Sequence, residues 1–176
     1  MIDFSAREIM LLIRGQIEPE NFTIVIIKLW EEYLIIPLEE VVDIALFNRA
    51  TGKYFDPVSN FTFKERLNLL AETCNGFVHM AGGLSCGVTD RKISQIKIRG
   101  EYLKSFNAVT KYEIVKYHGD PEKGLIEDIA YAWDIIIESY VSVYKNKSLY
   151  FFFDPEQWSL KEIRIGKVDE TCFSLK

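Results

Sequence analysis

The spacing of apolar residues changes partway along the chain, which divides it into a helical half and a mixed half. Near the start, Ser5, Ala6, Arg7 and Glu8 form a capping box, with the serine oxygen accepting from an early amide and the glutamate reaching back. A short helix is expected from there to about Arg14, ending at Gly15. After Pro19, the run NFTIVIIKLWEEYLI is apolar nearly all round except at Lys28, Glu31 and Glu32. Its β-branched start would suit a strand over residues 22–27, but its length and its WEEYL ending predict a mostly buried helix, broken by Pro37. Leu38, Val41, Val42, Ala45 and Leu46 then repeat the inward series, with Glu39, Glu40 and Asp43 outward. Residues 48–60 have loop composition. A second capping box at Thr62, Phe63, Lys64 and Glu65 predicts a helix to Cys74, stopped by Asn75 and Gly76.

Beyond this point the pattern is mixed. HMAGGLSCGVTD reads as a glycine-rich loop, whereas QIKIRGEYL alternates apolar and charged residues as a half-buried strand does. VTKYEIVKY is expected to pair with that strand as a hairpin, with helix as the alternative. In DPEKGLIEDIAYAWDIIIESYVSVYK, apolar residues fall at Ile126, Ile129, Ala130, Trp133, Ile136, Ile137, Tyr140, Val141 and Tyr144, the series of a helix with one buried face. Asp120 suits its N-cap and Pro121 its first position, so one helix over 121–145, roughly 35 Å long, is predicted. Glu127, Asp128, Asp134 and Glu138 fall on its polar side. SLYFFF predicts a buried strand, DPEQW a turn and LKEIRIGKV a closing strand. QIKIRG is similar to KEIRIG, too short a match to establish a repeat. The expected fold is a single α+β domain over residues 1–176. It has a helical N-terminal half, then a small antiparallel sheet (strand–strand–helix–strand–strand) packed on the long amphipathic helix.

Composition adds that a substantial core can be buried, because 48% of the 176 residues are hydrophobic. The net charge of −5 argues against a general nucleic-acid or anionic-membrane binder, and it is unevenly spread. Residues 1–60 carry a net −5, residues 61–120 a net +3 and residues 121–176 a net −3. The start lacks a basic segment followed by an apolar one, and no apolar run is long enough to cross a bilayer, so a cytoplasmic protein is expected. Cys74, Cys86 and Cys172, odd in number and scattered, suit a reducing compartment.

Candidate chemistry is sparse. Gly83, Leu84, Ser85, Cys86 and Gly87 match the pattern G-x-S-x-G, in which a serine nucleophile sits on a cramped strand-to-helix turn. Only Phe77 to Met80 can supply the preceding strand, and no helix is expected to follow. Cys86 beside His79 or His118 would make a thiol and base. Cys74, His79, Cys86 and His118 lack the close ligand pairs of a structural zinc site, so no metal and no cofactor are expected. Arg91, Lys92, Lys97, Arg99 and Lys104, with Tyr102 and Phe106, form a basic and aromatic strip that a nucleic-acid binder would use; in an acidic chain it is read as the polar face of a strand.

Two clusters of acids without interposed bases remain. One comprises Glu31, Glu32, Glu39, Glu40 and Asp43; the other comprises Glu127, Asp128, Asp134 and Glu138. They predict a protein-binding module that neutralises or regulates a basic partner, in concrete form a bacterial immunity protein that blocks a nuclease-type toxin domain. Such a surface imitates phosphate and steers a basic site toward it. The alternative is a small hydrolase using the loop 82–87, which contains Gly82, Gly83 and Gly87.

Overall fold

A computed structural model describes residues 6–34, 69–71, 77–80, 83–89, 92–130, 136–166 and 173–175. The chain is mixed α+β. Two helices come first, α1 (Ala6–Ile13) and α2 (Pro19–Leu34), as the capping box and the apolar run require. Strands β1 (Leu69–Ala71), β2 (Phe77–Met80), β3 (Leu84–Thr89) and β4 (Lys92–Arg99) follow, then a 3₁₀ segment (Gly100–Phe106) and helix α3 (Lys111–His118). The chain continues through β5 (Lys123–Ala130), β6 (Ile136–Tyr144), β7 (Leu149–Phe153), β8 (Leu160–Gly166) and β9 (Phe173–Leu175). The described strands form one sheet in the order β1-β2-β3-β4-β8-β7-β6-β5-β9, antiparallel at every pairing.

The long helix expected over 121–145 is instead the β5–β6 hairpin, which pairs Lys123 with Val143 through Ala130 with Ile136. The misreading has a physical cause. Ser139, Val141 and Val143 lie on one face of β6, Ser142 and Tyr144 on the other, and all five are buried. A strand covered on both faces has no polar alternation, so its apolar run also satisfies a helical template. The supposed cap residues sit in the turn from α3, where the Glu122 amide donates to the Val143 carbonyl at 3.0 Å. The sheet is therefore larger than the small one expected, and the segment expected to be its long helix supplies two of its strands. The glycine-rich loop is likewise a hairpin, β2–β3, and the expected strand at VTKYEIVKY is α3, the alternative reading. The helix expected to end at Cys74 meets a strand at Leu69–Ala71. The helix expected over 38–46 and the loop 48–60 lie outside the described residues.

The strands expected in QIKIRGEYL, SLYFFF and LKEIRIGKV are present as β4, β7 and β8. QIKIRG and KEIRIG, similar in sequence, are neighbours: Ile96 pairs with Ile165, Lys97 with Arg164 and Ile98 with Ile163. One face of the sheet carries Leu84, Cys86, Ile96, Ile98, Ile163, Ile165, Phe151 and Phe153. These join Ile9, Leu12, Phe22 and Ile26 of α1 and α2, and Tyr102, Leu103, Phe106 and Ile114, in a single core. The other face carries a second cluster of Val141, Val143, Tyr150 and Phe152. On that face Arg164 Nε donates to Glu162 Oε2 at 2.8 Å, and the guanidinium lies 4.0 Å from the Phe152 ring centre. Gly166 (φ +104) closes β8 against β4, where a Cβ would overlap the Ser94 carbonyl. Among the described residues, no helix is long and apolar enough to cross a membrane.

Candidate partner-binding groove

The amino end of α2 stands beside the edge of the helix-covered core. Phe22 and Ile26 of α2 are buried, so the opposite side of its first turns faces outward. Between it and the neighbouring ends of β4 and β8 and the β6–β7 turn lies a groove of about 550 Å³. Glu18, Glu20, Thr23 and Ile24 line one side, Ile96 and Ile165 are among the residues opposite, and Lys147 is the one cation among the described lining residues. Glu18 and Glu20 are exposed, and among the described residues neither meets a cation within ion-pair distance. Ile24, a large apolar side chain, is 51% exposed.

Lys147 is engaged from behind. Its Nζ lies 3.3 Å from His118 Nδ1. His118 Nε2 lies 3.1 and 3.0 Å from the Leu12 and Ile13 carbonyls. Carbonyls only accept, so Nε2 carries the hydrogen and Nδ1 accepts from the lysine. The ring thereby donates to two carbonyls at the carboxyl end of α1, of which that of Leu12 also accepts from the Gly15 amide at 3.2 Å. Burial, and then the charge of Lys147, lowers the His118 pKa below its ordinary value; the two carbonyls and Glu18 pull the other way. Tyr144, whose ring lies 5.4 Å from that of His118, donates its hydroxyl to the Gly119 carbonyl at 2.7 Å. Burial foremost, then Asp120 and Tyr140, pushes its pKa up to about 12. His118 is thus a neutral structural link behind the groove.

The residues singled out by sequence are placed as follows. Glu31 and Glu32 lie in the last turn of α2; Glu39, Glu40 and Asp43 lie outside the described residues. Glu127 and Asp128 occupy successive positions of β5, and Glu138 on β6 is the register partner of Asp128. Asp134 lies outside the described residues. The second acidic cluster therefore does not share one helix face, because its members belong to a hairpin. Ser85 and Cys86 are buried mid-strand in β3, between β2 and β4, rather than on a strand-to-helix elbow. Among the described residues Ser85 Oγ has no hydrogen-bond partner, and the His118 nitrogens are directed to α1 and Lys147. Cys86 and His118 sit in these separate settings, so they do not begin a zinc site; Cys74 lies outside the described residues. In the basic strip, Tyr102 and Phe106 are core residues, so their rings are not offered for base stacking.

Sequence reasoning missed Glu18 and Glu20, because the count of acids on α2 began at Glu31. It also missed a cation–π cluster in which Lys111 Nζ lies 3.7, 4.6 and 5.2 Å from the ring centres of Trp158, Tyr140 and Tyr112. That cluster staples the start of α3 to the β7–β8 turn, where the Lys111 amide donates to the Trp158 carbonyl at 3.3 Å. No periodicity could reveal it, since its members come from three elements. Comparison with known protein families, with curated proteins and with solved structures returns no match.

Proposed function

We propose that this protein is an acidic protein-binding module that neutralises or regulates a basic partner, in concrete form a bacterial immunity protein acting on a nuclease-type toxin domain. The observation that carries the proposal is the charge arrangement of α2. Two exposed carboxylates without cation partners among the described residues, Glu18 and Glu20, mark its start, and Glu31 and Glu32 its last turn. At 1.5 Å per residue these pairs are about 20 Å apart, within the footprint of one protein partner. The first 60 residues carry a net −5, which extends the acidic character beyond the helix. Such a surface accelerates encounter with a basic protein and opposes encounter with an acidic one.

The test is capture of the partner from the native host, followed by measurement of association with two charge reversals. Glu31→Lys with Glu32→Lys is one; Asp128→Lys with Glu138→Lys is the other. A basic captured protein whose association slows at least tenfold with either pair supports the proposal. If neither pair slows it, or if the captured protein is acidic, the proposal fails.

A further inference from the structure

We propose that the groove beside the first turns of α2 is the seat for an arginine side chain presented by an extended segment of the basic partner. This rests on the function proposed above and adds the place and chemistry of the contact. An arginine side chain joins an apolar stem to a cationic head with a fork of donors, and it covers apolar surface while its head reaches carboxylates. The groove presents both halves of a complement. Glu18 and Glu20 supply unpaired carboxylates at the rim, and Ile24 supplies exposed apolar surface on the same wall.

Each feature alone has a bland explanation. Acids at a helix start are favoured by the helix dipole, and single exposed apolar residues are common. Neither accounts for their convergence on one groove of about 550 Å³, room for a side chain and its flanking backbone. Among the described lining residues Lys147 is the one cation; it keeps its charge against the neutral His118, so the two carboxylates exceed it by one charge. Asn146 and Gln95 also line the groove, and side-chain amides suit the backbone of an extended peptide better than an isolated cation.

The probe is the blocked peptide acetyl-Gly-Leu-Arg-Leu-Gly-amide, titrated into the full chain and followed by amide chemical shifts. The same peptide with citrulline, nearly isosteric but neutral, is the control. The expected result is saturable shifts at Thr23, Ile24, Gln95 and Gly166, with affinity at least tenfold lower for the citrulline peptide. Glu18→Gln with Glu20→Gln should remove that difference, and Ile24→Ser should weaken both peptides alike. These surface changes leave the core intact, which the unperturbed remainder of each spectrum verifies. Equal binding of the two peptides, or shifts confined to residues away from the groove, overturns the inference. The partner experiment relies on acids outside the groove. If Glu31→Lys with Glu32→Lys slows association while the arginine peptide ignores the groove, only the groove assignment falls.

Discussion

The imidazole of His118, at the end of α3, joins the end of α1 and the β6–β7 turn through its two nitrogens, and protonation at Nδ1 would turn its contact with Lys147 into a repulsion between cations. In the folded chain its pKa is lowered, foremost by burial and then by Lys147, whereas in the unfolded chain it titrates at its ordinary value of 6.5. The stability it contributes is therefore complete above pH 6.5 and is lost as pH falls from 6.5 through the lowered folded value, because only the unfolded chain takes up the proton there. Urea unfolding of the wild type and of His118→Gln from pH 8 to pH 5 checks this: the stability gap should narrow as pH drops, and a constant gap would refute it. Ser85 makes the opposite case. Its hydroxyl is buried without a hydrogen-bond partner among the described residues, an arrangement that penalises a fold by about 1–3 kcal/mol. Ser85→Ala should thus leave stability unchanged or raised, and partner binding intact. A well-folded Ser85→Ala protein that had lost function in the host would return the hydroxyl to the chemistry.

At the scale of elements, β6 is the decisive test of the architecture. A helix over 121–145 puts Ser142 toward its polar side, whereas the hairpin buries it in β6, between β5 and β7. Ser142→Lys should lower the unfolding free energy by roughly 3–5 kcal/mol, the penalty of a charge left unpaired in the interior, whereas an exposed helical position would register little. A melting temperature unchanged by the substitution would contradict the hairpin. What the sequence revealed follows the same physics. α1 and α2 were legible because local capping and an apolar run specify a helix without help from distant residues, and β4 because its outward residues, Lys97 and Arg99, are charged. β7 and β8 were legible by composition and by the turn at Asp154, whose Oδ1 accepts from the Glu156 and Gln157 amides at 2.8 and 3.0 Å. β6 was not, because burial on both faces over Ser139–Tyr144 erases the alternation that identifies a strand, and its hairpin partner β5 was read into the same helix. β3 was hidden by Gly83 and Gly87, which resemble loop residues although Gly83 serves a close approach to the Arg99 carbonyl. The groove was not read from the sequence: Glu18 and Glu20 were passed over at the start of α2, and the opposite wall depends on β4 and β8 pairing, which no local pattern reports.

For the whole molecule, the arrangement is a broad antiparallel sheet with α1 and α2 on one face, and a charge distribution that is uneven along the chain. The acids and the apolar core do not compete, because the core of α2 uses Phe22 and Ile26 while Glu18 and Glu20 look out. Separate faces allow binding charge to change without loss of the fold, so reversing surface carboxylates should alter stability by no more than about 1 kcal/mol. Their effect on encounter should be larger and should depend on ionic strength. Attraction between a chain of net charge −5 and a basic partner acts over a Debye length of about 10 Å at 0.1 M salt, which shrinks to about 3 Å at 1 M. The association rate of the wild type with its captured partner should accordingly fall at least tenfold between 50 mM and 500 mM salt, with a much smaller change in dissociation. In Glu31→Lys with Glu32→Lys the salt dependence should flatten, since part of the steering charge has been removed. Stopped-flow mixing across that range separates the two rates. An association rate indifferent to salt would mean that shape and apolar contact, rather than the acidic surface, choose the partner.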